Sequence, residues 1–188
     1  MSRTLVPLFD FDGTLVDSDV ALTAPWHALG VDPALVPLGL PLVEACDRAG
    51  VTVEAYLAHY DPSAALPFPG VDELLARLER WGLASNKERT SGRRELERLG
   101  WVPDAAFFSD DFGGREKELP PLLAAMGLAP DEALFIGDTR HDRECAAAAG
   151  LRFAVAGWNP RARAGAQPGD LVLDAPGEVV DLLHRRRD

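Results

Sequence analysis

Short apolar runs alternate with amphipathic helical patterns along the chain, and this alternation restricts the fold more than any other feature. Between the runs, apolar residues recur at helical spacing, as at positions 71, 74, 75 and 78 of VDELLARLERWG. This pattern predicts an α/β fold with a Rossmann-like, three-layer core, in which helices cover both faces of a parallel sheet. The predicted strands are TLVPLFDF (4–11), RWGLAS (80–85), AAFFSD (105–110), ALFIGD (133–138) and RFAVAG (152–157).

One long stretch interrupts the alternation. Residues 18–67 show no strand pattern but contain three candidate helices, at 19–29, 40–49 and 52–60, separated by turns with proline and glycine. We therefore predict a small helical cap inserted after the first strand. The predicted division is a core of residues 1–17 and 68–188 and a cap of residues 18–67.

Composition restricts the partners and the compartment. The net charge of −11 on 188 residues disfavours nucleic acid and anionic membranes as partners. Two isolated cysteines make neither a disulfide framework nor a zinc site, so buried thiols are expected. No run approaches 18 apolar residues, and the N-terminal MSRTLVPLFD does not resemble a signal peptide. These features predict a cytoplasmic protein, and they leave its oligomeric state open.

Acidic, hydroxyl and basic residues gather in the loops that come after the predicted strands. In an open parallel sheet these loops meet at the carboxyl edge, where ligands bind. Crowded carboxylates repel one another unless a cation binds them, and oxygen ligands without a histidine or cysteine cluster favour Mg²⁺. A lysine and a serine would add charge and a hydroxyl donor for phosphate, so the set suits phosphoryl transfer. The set comprises Asp10, Asp12, Ser85, Asn86, Lys87, Lys117, Asp138 and Asp142.

The same residues carry a family resemblance. DFDGT followed by LVDS resembles the first motif of the haloacid dehalogenase superfamily, in its phosphatase branch. In the same order, LASNK, EKELP and IGDTRHD resemble the second, third and fourth motifs, and the match extends over about residues 5–158. VAGWNPRA (155–162) is similar to the segment after the last strand in phosphoglycolate phosphatase-like members.

The resemblance implies a role for each acid. Asp10 would be the nucleophile that forms an aspartyl-phosphate, and Asp12 would be the general acid and then the base that activates water. Asp10, Asp138 and the backbone carbonyl of Asp12 would bind Mg²⁺. Asp142 would lie behind these ligands and hold Lys117 or a water molecule.

The resemblance also assigns the phosphate contacts. Ser85 and Lys117 would hold the phosphoryl oxygens, and the backbone N–H of Asn86 would be a further donor. Some alternatives stay open: Arg115 and Lys87 compete with Lys117, and Asp142 has a second interpretation as a helix cap. Lys87 itself is interpreted as a surface residue near the site.

The function predicted from the sequence is hydrolysis of a small-molecule phosphate ester by a Mg²⁺-dependent phosphatase. Two alternatives remain: a phosphomutase acting on a sugar phosphate, and a catalytically silent binding or regulatory protein on the same fold. Within the cap, His27, His59 and Trp26 could contact the substrate, although isolated residues of these types are more often packing residues.

Overall fold

The computed structural model describes residues 5–184, which fold into a central sheet, flanking helices and a small helical cap. In chain order the elements are β1 (Val6–Phe9), β2 (Val16–Asp17), α1 (Asp19–Ala28), α2 (Leu42–Ala49), α3 (Val53–His59), β3 (Leu66–Pro67), α4 (Val71–Ala76), β4 (Gly82–Ala84), α5 (Arg89–Leu99), β5 (Ala105–Phe107), α6 (Pro120–Met126), β6 (Ala133–Gly137), α7 (Arg140–Ala148), β7 (Arg152–Ala156), α8 (Pro160–Ala164), β8 (Val172–Leu173) and α9 (Gly177–His184). Short 3-10 helices span Pro33–Leu35, Pro62–Ala64, Ser109–Phe112 and Pro130–Glu132.

The central sheet has six parallel strands in the order β5-β4-β1-β6-β7-β8. The predicted α/β class is confirmed, and each of the five predicted strands contains an observed one. The sixth strand, β8, was not predicted, because two residues are too few to show a period.

The expectation that residues 18–67 contain no strand is wrong at one point. Leu66 and Pro67 form β3, which pairs antiparallel with β2 where the chain enters the cap. This two-stranded ribbon joins the entry and the exit of the cap, so both connections lie side by side.

Alternate residues of the sheet face two separate apolar layers. Phe9 of β1 packs in a cluster that includes Leu74 of α4, Leu96 of α5 and Val179 of α9. Its neighbour Leu8 packs in a second cluster, which draws on α6 and α7. Helices therefore cover both faces of the sheet, as the three-layer prediction requires.

The cap has a small apolar cluster of its own. Trp26 of α1 packs against Tyr56 of α3 with ring centroids 4.4 Å apart, and Cys46 of α2 is buried beside them. The helices at 19–28, 42–49 and 53–59 match the three predicted ones closely. The exact division at residues 17/18 and 67/68 stays a prediction, and positions 1–4 and 185–188 of the predicted core lie outside the described residues.

Each helix between residues 5 and 184 is too short or too polar to cross a bilayer.

Candidate active site

The site lies where the strand order reverses. From β1 the chain moves outward to β4 and β5, and later it crosses back to β6 on the other side of β1. The carboxyl ends of such diverging strands leave a crevice that binds ligands. Asp10, Ser85 and Asp138 directly follow β1, β4 and β6, and all three line one cleft between the core and the cap.

Asp10 and Lys117 form a buried ion pair at the floor of this cleft. The Lys117 ammonium donates to Asp10 Oδ1 and lies 2.5 Å from Asp142 Oδ1. Burial raises the pKa of Asp10 to about 7, and Asp142 and Asp12 add to the rise while Lys117 opposes it. Burial alone would lower the pKa of Lys117, but the two carboxylates outweigh it and raise that pKa. Lys117 is therefore a charged lysine held between two acids.

Asp142 makes the contacts of a helix cap and also faces Lys117. It occupies the third position of α7, where its Oδ2 accepts from the Thr139 amide at 2.9 Å and from the Thr139 hydroxyl at 2.6 Å, as in a capping box. Its other oxygen faces Lys117. Burial acts to raise the pKa of Asp142, but Lys117 and the hydrogen bonds from Thr139 lower it overall.

Asp138 presents a buried carboxylate with an unused oxygen. Its Oδ2 accepts from Arg161 at 3.0 Å, and its Oδ1 has no hydrogen-bond partner within residues 5–184. Burial, followed by the charges of Asp10 and Asp142, raises the pKa of Asp138 well above its ordinary value. A buried anionic oxygen without a partner is costly unless a cation binds it.

The acidic cluster fits a hard divalent cation. Asp10, Asp138 and Asp142 each offer a carboxylate oxygen, and these three atoms lie within 4.8 Å of one another. Both oxygens of Asp142 are engaged, Oδ2 by hydrogen bonds and Oδ1 by Lys117, whereas Lys117 contacts only Oδ1 of Asp10. Asp10 and Asp138 are therefore the better ligand candidates. The donors are all oxygens, which is the set that Mg²⁺ and Ca²⁺ prefer.

Gly13 makes room for this cluster. Its φ is +81°, and a Cβ at this position would lie 2.3 Å from Asp138 Oδ2. The turn is held from the other side of the site, where Asn159 donates to the Gly13 carbonyl at 2.7 Å and Trp158 donates to the Thr14 carbonyl at 2.8 Å. The chain therefore turns sharply at Gly13, and only glycine fits there.

Ser85 and Asn86 have different environments. The Ser85 hydroxyl oxygen accepts from the Lys87 amide at 3.2 Å, which leaves its own proton available for an acceptor in the cleft. The Asn86 side chain donates to the carbonyl of Gly39 in the cap at 2.7 Å and accepts from the Lys117 amide at 2.6 Å. The Asn86 side chain therefore joins the cap to the core, and phosphate binding by its backbone N–H stays a prediction.

Comparison of this sequence with known protein families shows the family to which it belongs. The family model of the haloacid dehalogenase-like hydrolases matches residues 38–156, more than half of the chain. The chain belongs to the haloacid dehalogenase-like hydrolases.

Two curated relatives are similar to this hydrolase beyond the residues matched by the family model, and a solved structure shares its fold. An N-acetylmuramic acid 6-phosphate phosphatase of Pseudomonas aeruginosa is 29% identical and covers 97% of this chain and 96% of its own length. A phosphoglycolate phosphatase of Xylella fastidiosa is 31% identical over 82% of this chain and 80% of its own. A haloacid dehalogenase-like hydrolase from Streptococcus pneumoniae has the same fold, with a TM-score of 0.73, 23% identity and coverage of 98% of this chain and all of the other.

The interpretation of Lys87 as a surface residue of this hydrolase is wrong. Its side chain is 4% exposed, and its ammonium lies 3.0 Å from Asp12 Oδ1 and 3.0 Å from Glu95 Oε1. Lys87 is also no rival to Lys117 for the pair with Asp10, and Arg115 is exposed beside Glu118. Sequence reasoning missed Glu95, because its helix has the pattern of a polar surface helix. The chain has two lysines against seventeen arginines, and both lysines lie in the site.

The three cap residues that the sequence singled out separate into two groups. Trp26 is buried and lines the cleft. His27 and His59 are exposed, so neither is a packing residue.

Proposed function

We propose that this protein is a Mg²⁺-dependent phosphatase that hydrolyses a small-molecule phosphate monoester through an aspartyl-phosphate. The observation that carries the proposal is the meeting of Asp10, Asp12, Ser85, Lys117 and Asp138 in one cleft. A nucleophilic carboxylate, a second acid, a hydroxyl donor and a cation are together the groups that phosphoryl transfer requires. The two curated relatives described above carry the name of phosphatase, which agrees with this chemistry.

Asp10 is the nucleophile in this proposal. In the first step an Asp10 oxygen forms a bond to phosphorus, and the bond from phosphorus to the ester oxygen breaks. The electron pair of that bond stays on the departing oxygen, which takes the proton of Asp12 and leaves as an alcohol. Lys117 orients the Asp10 carboxylate and offsets charge on the phosphoryl oxygens, and Ser85 donates its hydroxyl proton to one of them.

Asp12 acts a second time when the aspartyl-phosphate is hydrolysed. Its carboxylate, formed in the first step, removes a proton from water, and the oxygen of that water bonds to phosphorus. The bond from phosphorus to Asp10 then breaks, which restores the Asp10 carboxylate and releases phosphate. The Asp12 side chain is 18% exposed, so it retains access to the cleft in which an alcohol or a water would lie.

Mg²⁺ would be held by Asp10, Asp138 and the backbone carbonyl of Asp12. When bound, it would neutralise charge on the phosphoryl oxygens and on the crowded carboxylates. The unpartnered Oδ1 of Asp138 supports this assignment, because that oxygen otherwise has nothing to compensate its burial.

Substitution of the nucleophile tests the proposal. Asp10→Asn keeps the shape of the side chain but removes the attacking oxygen anion, so turnover of p-nitrophenyl phosphate should fall by about 10³-fold or more. Asp47→Asn, an exposed change in the cap, is the matched control and should keep wild-type turnover. Wild-type turnover by Asp10→Asn would refute the nucleophile assignment.

Product analysis separates hydrolysis from transfer. With a sugar 1-phosphate as substrate, a phosphatase releases inorganic phosphate in proportion to the sugar consumed, and chelation of Mg²⁺ stops the release. An isomeric sugar phosphate as the product would favour a mutase instead. Tight binding without any turnover would favour a silent binding protein.

A further inference from the structure

The Lys87 ammonium is enclosed by partners from three parts of the chain. Nζ lies 3.0 and 3.3 Å from the two oxygens of Asp12, 2.8 Å from the Tyr60 hydroxyl and 3.0 Å from Glu95 Oε1. An ammonium has three donors, and these three side chains engage all of them. Within residues 5–184, Lys87 therefore has no donor left for a phosphate oxygen. It can act on the reaction through its contact with Asp12.

The pair of Lys87 and Glu95 is built deep into the core. Glu95 on α5 is fully buried, and the Lys87 ammonium also lies 5.7 Å from the centroid of the Phe11 ring. Burial alone would lower the pKa of Lys87, but the carboxylates of Asp12 and Glu95 outweigh it and raise that pKa, so the ammonium is charged. Glu95 balances this charge, and the pair orients Asp12 without adding net charge to the cleft.

Tyr60 connects this pair to the cap. It directly follows α3, its ring lies 6.1 Å from that of Tyr56, and its hydroxyl accepts from Lys87 and donates to Glu95. The centroid of its ring is also 5.0 Å from the Lys87 ammonium. A shift of α3 away from the core would therefore withdraw one of the three groups that fix Lys87.

We propose that Lys87 is a positioning residue that aligns the Asp12 carboxylate for proton transfer. In this proposal Glu95 holds Lys87 from the core, and Tyr60 completes the alignment only when the cap is seated. The inference rests on the phosphatase function proposed above. Lys87 keeps its protons throughout: the proton that reaches the departing oxygen comes from Asp12, and Lys87 fixes the direction in which Asp12 donates it.

Two phosphate esters of similar size can show how well Asp12 is aligned to donate its proton. Benzyl phosphate releases a basic alkoxide that needs a proton, whereas p-nitrophenyl phosphate releases a stable phenolate that needs little protonation. The quantity to compare is kcat/KM, because it reports the transfer to Asp10, in which Asp12 acts as the acid. Lys87→Met should lower kcat/KM for benzyl phosphate by about 10²-fold or more and that for p-nitrophenyl phosphate far less.

The two tyrosines of the chain provide a matched pair. Tyr60→Phe removes only the hydroxyl that holds Lys87, so the benzyl to p-nitrophenyl ratio of kcat/KM should fall about tenfold. The Tyr56 hydroxyl donates to the Leu22 carbonyl at 2.9 Å, so Tyr56→Phe should leave this ratio unchanged. Equal losses on both esters, or the same shift in both tyrosine variants, would overturn the inference.

A spectroscopic measurement covers the case in which Lys87→Met does not fold because Glu95 loses its cation. With ¹³Cε-labelled lysine the protein has two lysine signals, one for Lys87 and one for Lys117. Tyr60→Phe and Glu95→Gln should move one signal and leave the other in place, and no movement in either variant would overturn the inference.

If the wild type hydrolyses neither ester, the phosphatase proposal and this inference both fail, whereas an unchanged ratio in an active Tyr60→Phe variant refutes this inference alone.

Discussion

Each lysine of this protein lies between two carboxylates. Lys117 bridges Asp10 and Asp142, and Lys87 bridges Asp12 and Glu95. A lysine ammonium is compact and directs three donors to different sides, whereas the planar guanidinium of arginine suits one carboxylate in a fork. The choice of lysine at these two positions, in a chain rich in arginine, follows from the need to bridge acids in a confined space.

Lys117→Met should destabilise the protein strongly. The substitution leaves Asp10 and Asp142 buried without their shared cation, and loss of one partner of a buried ion pair costs about 3–5 kcal/mol. Urea unfolding in the presence of a chelator measures the free energy of unfolding. Arg115→Met, which removes a cation whose side chain is 77% exposed, is the control and should change stability little. A Lys117→Met variant as stable as the control would contradict the role of Lys117 as a charge bridge.

Asp138→Asn should remove most of the stabilisation that Mg²⁺ gives. A cation that binds only the folded state stabilises it by about 2.7 kcal/mol at 100 times its Kd. The melting temperature of the wild type should therefore rise on addition of Mg²⁺, and that of Asp138→Asn should rise much less. In chelator the variant should be about as stable as the wild type, because removal of the unpartnered Oδ1 charge offsets the loss of the ion pair with Arg161. An identical Mg²⁺ response in both proteins would exclude Asp138 as a ligand.

At the scale of the elements, the sequence predicted those long enough to show an apolar run or a helical period. Strands β1 and β6 are buried on both faces and read as continuous apolar runs, so their positions and the acids that follow them were predictable. The ribbon of β2 and β3 and the strand β8 have two residues each, which carry no period. Their pairing depends on which distant segments of the chain come together, and the local sequence does not specify this.

Only the site residues that lie in loops after strands could be predicted from the sequence. Asp10, Asp12 and Asp138 belong to one sheet edge by topology alone. Glu95 does not, because it lies on α5 among charged residues, and nothing local distinguishes a buried glutamate from an exposed one. Its burial depends on contact with Lys87, which lies in a different segment of the chain. The pair of Glu95 and Lys87 is therefore visible only in the folded structure.

The cap gives the cleft an apolar wall, and this predicts the kind of leaving group. Each lysine and arginine that lines the cleft within the described part of the chain already pairs with acids: Lys87, Lys117 and Arg161. A second anionic group on the substrate would therefore lack a free cation. Benzyl phosphate should have a higher kcat/KM than phosphoglycolate, and the reverse order would show that one of these cations is released for the substrate. The wall comprises Leu22, Trp26, Val36, Leu38, Leu40 and Leu57.

For the whole molecule, the net charge restricts how a phosphate ester can be bound. The protein carries a net charge of −11, so its long-range field repels a phosphate ester. Binding must then depend on short-range contacts inside the cleft, where Lys117, the Ser85 hydroxyl and a divalent cation would act together. Turnover should consequently depend more on Mg²⁺ concentration than on surface charge.

The two thiols of the chain can test whether the cap opens separately from the core. Cys46 lies in the cap cluster and Cys145 lies on α7 of the core, and burial raises the pKa of each thiol to about 11. Cys46 is buried and Cys145 is half-buried. Because the thiolate is the reactive form, the raised pKa slows labelling by a disulfide reagent in the folded state, and opening of the structure accelerates it.

The cap cluster is smaller than either core cluster in the part of the chain that the structure describes, so we expect the cap to open first. In a Cys145→Ala variant, Cys46 should be labelled with a weak dependence on urea, because cap opening exposes little surface. In a Cys46→Ala variant, the half-buried Cys145 should show a background of labelling that does not depend on urea and, above it, the steeper dependence of global unfolding. Equal slopes would mean that cap and core unfold as one unit, in which case movement of Tyr60 away from Lys87 would require unfolding of the whole protein.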